Sequence, residues 1–186
     1  MSSWERGPCT DILEVILDEA TIAARVEELG REISDSFAGK NPLLLGILKG
    51  SFVFMTDLAR TIDIPMEVDF MAVSSYGKST KSSGVVRITK DLDRSIADRH
   101  VLVVEDIVDS GRTLAYLIEN LETRNPASVT ICTLLDKAEA RVTDVEAQFV
   151  GFPCPNKFVV GYGLDFAERY RNLAYIGELK PEVYES

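Results

Sequence analysis

A chain of 186 residues, 46% of them apolar, is long enough to fill one core and too short for a multi-domain machine, and its composition disfavours disorder. Its 20 basic and 30 acidic residues leave a net charge of -10 and a pI near 4.7, a field that repels nucleic acid and anionic membranes, so an anionic ligand must be held by local groups. Cys9, Cys132 and Cys154 form no C-x-x-C pair, residues 1–10 contain no signal-peptide stretch, and no apolar run approaches the roughly 18 residues that span a bilayer; a reducing cytoplasm is the expected location.

From Ile22, the apolar positions Val26, Leu29, Ile33 and Phe37 follow at three- and four-residue steps, the spacing of one buried helix stripe, with Gly39 as its stop. The run Leu43 to Leu48 is too short for a helix and predicts a buried strand; Lys49-Gly50-Ser51 is then a loop, and Phe52, Met55 and Leu58 mark a second helix. Met66 to Val73 reads as another strand, and residues 74–84, rich in serine, glycine and lysine, as a mobile loop. Val101 to Val104 predicts a strand, Leu114 to Leu121 a helix, Val129 to Leu135 a strand, and Phe158 to Val160 and Ala174 to Ile176 short strands. Such alternation predicts an α/β fold, a mostly parallel twisted sheet flanked by helices, with ligands at the carboxyl ends of strands. No repeat, low-complexity tract or composition break interrupts residues 1–186, which read as a single domain.

One strand end carries most of the chemistry. In the segment 101–113, apolar residues run into Glu105, Asp106 and Asp109 and then into Ser110-Gly111-Arg112-Thr113. The first amides of a helix have no intrahelical acceptor and its dipole favours an anion, while two hydroxyls and a guanidinium stand beside them, so a phosphate fits there. Glu105 and Asp106 offer acceptors for the vicinal hydroxyls of a sugar or for a hydrated Mg²⁺. Phosphate and diol together describe a ribose phosphate. The plainer reading makes Ser110 an ordinary helix cap and the carboxylates solvated turn residues. Two nucleotide loops fail: Gly77-Lys78-Ser79 has Ala72 where a Walker loop needs glycine, and Gly161-x-Gly163 has Phe166 where a dinucleotide loop needs its third. His100, the only histidine, has no partner at ligand spacing.

The segment resembles the diphosphoribose signature of the type I phosphoribosyltransferases, and its flanks are similar to the hypoxanthine-guanine branch of that family. The similarity extends over nearly the whole chain, through Leu45-Gly-Ile-Leu-Lys49-Gly50, Ser74-Ser75-Tyr76-Gly77, Asp136-Lys137 and Lys157-Phe158-Val159-Val160 to Asp165 and Arg169-Tyr170-Arg171. Ala138 and Phe166 depart from proline and tyrosine, which bacterial members often have at these two positions.

The resemblance implies the type I fold with a small hood from the terminal segments, and transfer of 5-phosphoribosyl from phosphoribosyl diphosphate to hypoxanthine or guanine, giving IMP or GMP and pyrophosphate with Mg²⁺. It assigns Glu105 and Asp106 to the ribose and, with Asp165, to the metal. Asp109, Ser110, Gly111, Arg112 and Thr113 go to the 5′-phosphate, with Asp109 also the general base at the purine. Lys49, Gly50 and Arg171 go to pyrophosphate, in a loop that commonly carries a cis peptide before the glycine. Lys137, Phe158, Val159 and Asp165 go to the base, with Phe158 stacking on its ring, and Ser75 and Tyr76 go to a closing loop. A lysine only donates, so Lys137 favours a 6-oxo over a 6-amino purine. Family members are dimers or tetramers; neither nucleic acid nor membrane is an expected partner.

Two rivals are weaker. A phospho-aspartate receiver would place Val-Val-Glu105-Asp106 before a helix in the same way, but too little chain remains downstream to complete it, and Phe149-Val-Gly-Phe stands where another strand-terminal aspartate is needed. An RNA-binding regulator on this scaffold would need a basic face that a net charge of -10 makes hard to draw.

Overall fold

Asp18 starts the first helix: its Oδ1 accepts a hydrogen bond from the Thr21 amide at 2.7 Å, satisfying a donor that the helix itself cannot. In the computed structural model, which describes residues 9–75 and 86–185, α1 (Glu19–Ser36) buries Ile22, Val26, Leu29 and Ile33 on one stripe, as the spacing predicts. After it come β2 (Leu43–Leu48) and α2 (Phe52–Thr61), then β3 (Glu67–Ser75), β4 (Val86–Lys90), β5 (His100–Val108), α3 (Arg112–Glu122) and β6 (Ser128–Asp136). The chain closes with β7 (Phe149–Pro153), β8 (Val159–Val160), β9 (Ile176–Leu179) and the short α4 (Pro181–Tyr184), and β1 (Ile12–Leu17) precedes α1.

Six strands form the main sheet in the order β4-β3-β2-β5-β6-β7, parallel except for β4. Both faces are covered, which is why β2 and β5 are nearly continuous apolar runs. Leu44, Leu102, Val104, Cys132 and Leu134 pack towards α1 and α2, whereas Leu43, Leu45, Val101, Val103 and Ile131 pack towards Leu114, Leu117 and Leu121 of α3. A second sheet, β1-β9-β8, joins the two ends of the chain antiparallel and is the hood. Lys157 ties it together, paired with Glu14 and lying 2.7 Å from Glu178. No helix among the described residues is long and apolar enough to cross a membrane.

Several boundaries differ from expectation. The strand predicted at Val101–Val104 continues to Val108, because β6 offers parallel partners as far as Val108↔Asp136 and the ladder is indifferent to side-chain charge. Glu105 and Asp106 therefore lie inside a strand rather than after it. The strand predicted at Ala174–Ile176 is Ile176–Leu179, drawn there by pairing with β1. β1, β4, β7 and α4 were not foreseen: their partners are distant in sequence or their runs too short to show a period.

Candidate active site

The chain moves outward from β2 through β3 to β4, returns to β5 beside β2, and then moves outward the other way through β6 and β7. The reversal leaves a crevice between the carboxyl ends of β2 and β5, the place where open α/β sheets bind ligands. Lys49 and Gly50 leave β2 on one side of it, and Glu105 to Thr113 line the other. The Leu48–Lys49 peptide is cis. The two sides nearly touch: a Cβ on Gly50 would lie 1.7 Å from Asp106 Oδ2, so only glycine fits.

At the start of α3, Gly111 takes φ 79° in the cap position and brings no side chain to the open amides; Ser110, the cap in the plainer reading, does not hold that position. The first helical bond is Ala115 N–H to Gly111 O at 2.8 Å. A cavity of about 120 Å³ opens onto these amides, lined by Glu105, Asp109, Ser110, Gly111 and Thr113. Arg112 begins the helix and is exposed.

Successive strand residues face opposite ways. Accordingly, Glu105 lines the phosphate-sized cavity while Asp106 lines a neighbouring one of about 310 Å³ with Asp109, Lys137, Phe158, Val159 and Asp165. Ile107 and Asp109 belong to both. Burial raises the Glu105 carboxyl well above its usual range, with the Asp106 charge adding to it. Burial likewise raises Asp106 to about 6, against the opposing Ile107 amide and Arg171 charge. Lys137, only 9% exposed, reaches within 3.9 Å of Asp109 Oδ2. In the second helix Ser51 holds the cap position, but its hydroxyl donates back to Ile47 O at 2.7 Å and caps no amide, while the Ser51 and Phe52 amides bond back to Ile47 O at 3.4 Å and Lys49 O at 3.3 Å.

Arg171 connects the hood to this crevice. Its Nη1 donates to Gly163 O at 2.8 Å, Nη2 lies 2.8 Å from Asp165 Oδ1, and the buried Nε has no hydrogen-bond partner among the described residues. Lys49 pairs at 3.0 Å with Glu168, a residue the sequence reading passed over. Arg169 is exposed. Phe158 borders the second cavity, but its ring stacks on Tyr184 with centroids 4.8 Å apart and planes at 17°, and meets Phe166 edge-on at 5.6 Å. Arg141 was also missed: it bonds Asp109 O at 3.1 Å, Val108 O at 3.4 Å, the Asp136 carboxylate and Val145 O. A cation four residues beyond Lys137 was the available signal. The expected loop residue Tyr76 lies outside the described residues, as does the side chain of Ser75, whose backbone ends β3.

Residues 13–167 match the model of the phosphoribosyl transferase domain. The chain belongs to that family. It is 57% identical over 181 residues to the hypoxanthine-guanine phosphoribosyltransferase of Mycobacterium avium, covering 94% of this chain and 89% of that protein. It is 55% identical over 176 residues to the enzyme of the same name from Bacillus subtilis, covering 95% and 98%. A crystal structure of a hypoxanthine phosphoribosyltransferase from Staphylococcus aureus superposes with a TM-score of 0.91 at 49% identity, covering 95% of this chain and 96% of that one.

For a phosphoribosyltransferase the crevice has the right chemistry. Breaking the bond to the leaving group places positive charge on the ribose and negative charge on the departing oxygens, so carboxylates on one side and cations on the other each meet a developing charge.

Proposed function

We propose that the chain salvages purines by moving 5-phosphoribosyl from phosphoribosyl diphosphate to a ring nitrogen of hypoxanthine, and of guanine, to give IMP or GMP and pyrophosphate. The observation that carries this is the adjoining pair of cavities that share Asp109: one faces open helix amides, the other holds a buried lysine and an aromatic ring. In this reading Ser110 to Thr113 bind the 5′-phosphate and Glu105 and Asp106 the ribose hydroxyls. Asp109 takes the proton that the purine nitrogen loses. Lys137 donates to the 6-oxo group, and Val159 contacts the base through its backbone. Phe158 stacks on the base with the face that Tyr184 leaves free. Lys49, Gly50 and Arg171 hold the departing pyrophosphate.

Among the described residues no group of three or more His, Cys, Asp or Glu side chains is gathered to hold a metal alone. Mg²⁺ does not need one, since it is commonly held by one or two carboxylates together with substrate oxygens. Glu105, Asp106 and Asp165 supply hard oxygen donors of that kind, and the buried Glu105 and half-buried Asp106 gain from a cation. Mg²⁺ there would neutralise the charge of the diphosphate. Residues 1–186 act as one phosphoribosyltransferase unit in the cytoplasm, as a homodimer or homotetramer.

Incubation with Mg²⁺, phosphoribosyl diphosphate and a panel of bases tests the reading: IMP and GMP should form, and AMP should not. Salt-dependent RNA binding with negligible nucleotide formation would overturn it. Lys137→Ala should lower kcat/KM for hypoxanthine by roughly 10- to 100-fold, the value of a charge-assisted hydrogen bond. An equal loss with every base would make Lys137 structural instead.

A further inference from the structure

The cations at the pyrophosphate end are already engaged. Lys49 Nζ lies 3.0 Å from Glu168 Oε2, and Arg171 Nη2 lies 3.5 Å from that same oxygen. One carboxylate oxygen thus sits between the two cations that the proposed function assigns to the leaving group. The contact is built by a turn rather than left to a free side chain. Glu168 N–H donates to Asp165 Oδ2 at 2.9 Å, and Ala167, Glu168 and Tyr170 all take left-handed φ values of 51°, 63° and 77°. The Lys49 hydrogen bond holds the Glu168 carboxyl below its usual range, so it is charged at neutral pH.

Neither partner of the Lys49–Glu168 pair is buried, with side chains 66% and 64% exposed. An exposed ion pair contributes little stability, which makes it a poor explanation for three left-handed residues in one turn and a good description of a contact that can open. Arg171 is the less free cation, fixed by Gly163 and Asp165; Lys49 is the one that can swing.

We propose that Glu168 is a place-holder for the leaving group: its carboxylate occupies the point between Lys49 and Arg171 that a pyrophosphate oxygen takes, yields when phosphoribosyl diphosphate binds, and returns to drive pyrophosphate off. This rests on reading Lys49 and Arg171 as pyrophosphate ligands. Glu168 then acts against binding of the diphosphate and in favour of its release. Lys49 and Arg171 remain paired in the empty site, so two cations are not left facing each other, and the energy of that pair is subtracted from the affinity for pyrophosphate. Because the pair is exposed, the effect is about two- to fivefold. It also shrinks with ionic strength, as exposed charges are screened over roughly 8–10 Å.

The test titrates inorganic pyrophosphate with Mg²⁺ into the full chain by calorimetry, comparing the native protein with Glu168→Gln, which keeps shape and backbone preference and removes the charge. The variant should bind pyrophosphate about two- to fivefold more tightly at low ionic strength, with the gap closing at high salt. Its affinity for IMP, whose phosphate belongs at residues 109–113, should not change, and pyrophosphate release in a single turnover should slow. Glu168→Ala should move in the same direction and serves if the glutamine variant folds poorly. Unchanged or weaker pyrophosphate binding in both variants overturns the proposal. Lys49→Ala separates the two claims: it should weaken pyrophosphate binding, and native affinity in that variant would remove the assignment of Lys49 and the proposal with it.

Discussion

Gly50 follows β2 and Asp106 lies in β5, yet their positions are mutually dependent, since a methyl group on the glycine would overlap the carboxylate. Gly50→Ala must push either the loop or Asp106 aside. Misplacement by about 1 Å costs catalysis on the order of 100-fold, so kcat/KM should fall by that order while the Tm changes little; native activity would show that the loop has slack. Asp106 makes a second prediction, about pH. Its folded-state carboxyl is raised from 3.8 to about 6, so the native chain binds that proton more tightly than the unfolded chain does. The cost of ionising it in place is absent near pH 4, grows as pH rises through about 6 and is complete above, reaching on the order of 2–3 kcal/mol. Glu105 acts in the same direction. In unliganded protein, Asp106→Asn should leave Tm unchanged near pH 4 and raise it by several degrees near pH 8; a uniform shift at both would refute the buried-charge explanation. The residue types at this site could be read from the sequence. That Glu105 and Asp106 serve different cavities could not, because it depends on the strand continuing beneath them.

The segment after β6 shows what a connection contributes. Arg141 reaches back from it to the carbonyls of Val108 and Asp109, and Val142 N–H donates to Ser110 O at 3.1 Å, so the phosphate loop is braced from behind by residues more than thirty positions downstream. A lysine could carry the charge but not the fork of donors that serves four acceptors at once. Arg141→Lys should therefore lower Tm by a few degrees and weaken IMP binding about tenfold, while pyrophosphate binding stays native. Loss of both affinities together would point to general unfolding. The three longer helices were legible because their apolar stripes repeat locally, as with Ile22 to Ile33 in α1 and Leu114 to Leu121 in α3. Strands were legible where an apolar run stood out, as in β2, β5 and β6. β1, which pairs with β9 across most of the chain, and β7, with a glycine and a proline in five residues, lack such a signature.

The hood must be held over the sheet for the proposed base and pyrophosphate positions to face the proposed phosphate loop. Tyr162 provides one tie, donating its hydroxyl to Asp57 Oδ2 of α2 at 2.6 Å; burial and that carboxylate both push the phenol's pKa upward. Tyr162→Phe removes the donor and leaves Asp57 unmatched, a loss of about 1.5–3 kcal/mol, or several degrees in Tm. KM for both substrates should rise more than kcat falls, because Phe158, Val159 and Arg171 travel with the hood. A fall in kcat alone would mean that the tie affects chemistry rather than placement.

Composition, local periodicity and the acid-rich strand end were enough to predict an α/β chain and to single out one strand end for a ribose phosphate, because those signals lie within a dozen consecutive residues and reflect local sterics and charge. The reversal of strand order that brings Gly50 beside Asp106, the split of neighbouring carboxylates between two cavities, and the seating of Glu168 between Lys49 and Arg171 came from the folded arrangement alone. They depend on which distant segments pair, and pairing is settled by the burial of whole faces rather than by any short stretch of sequence.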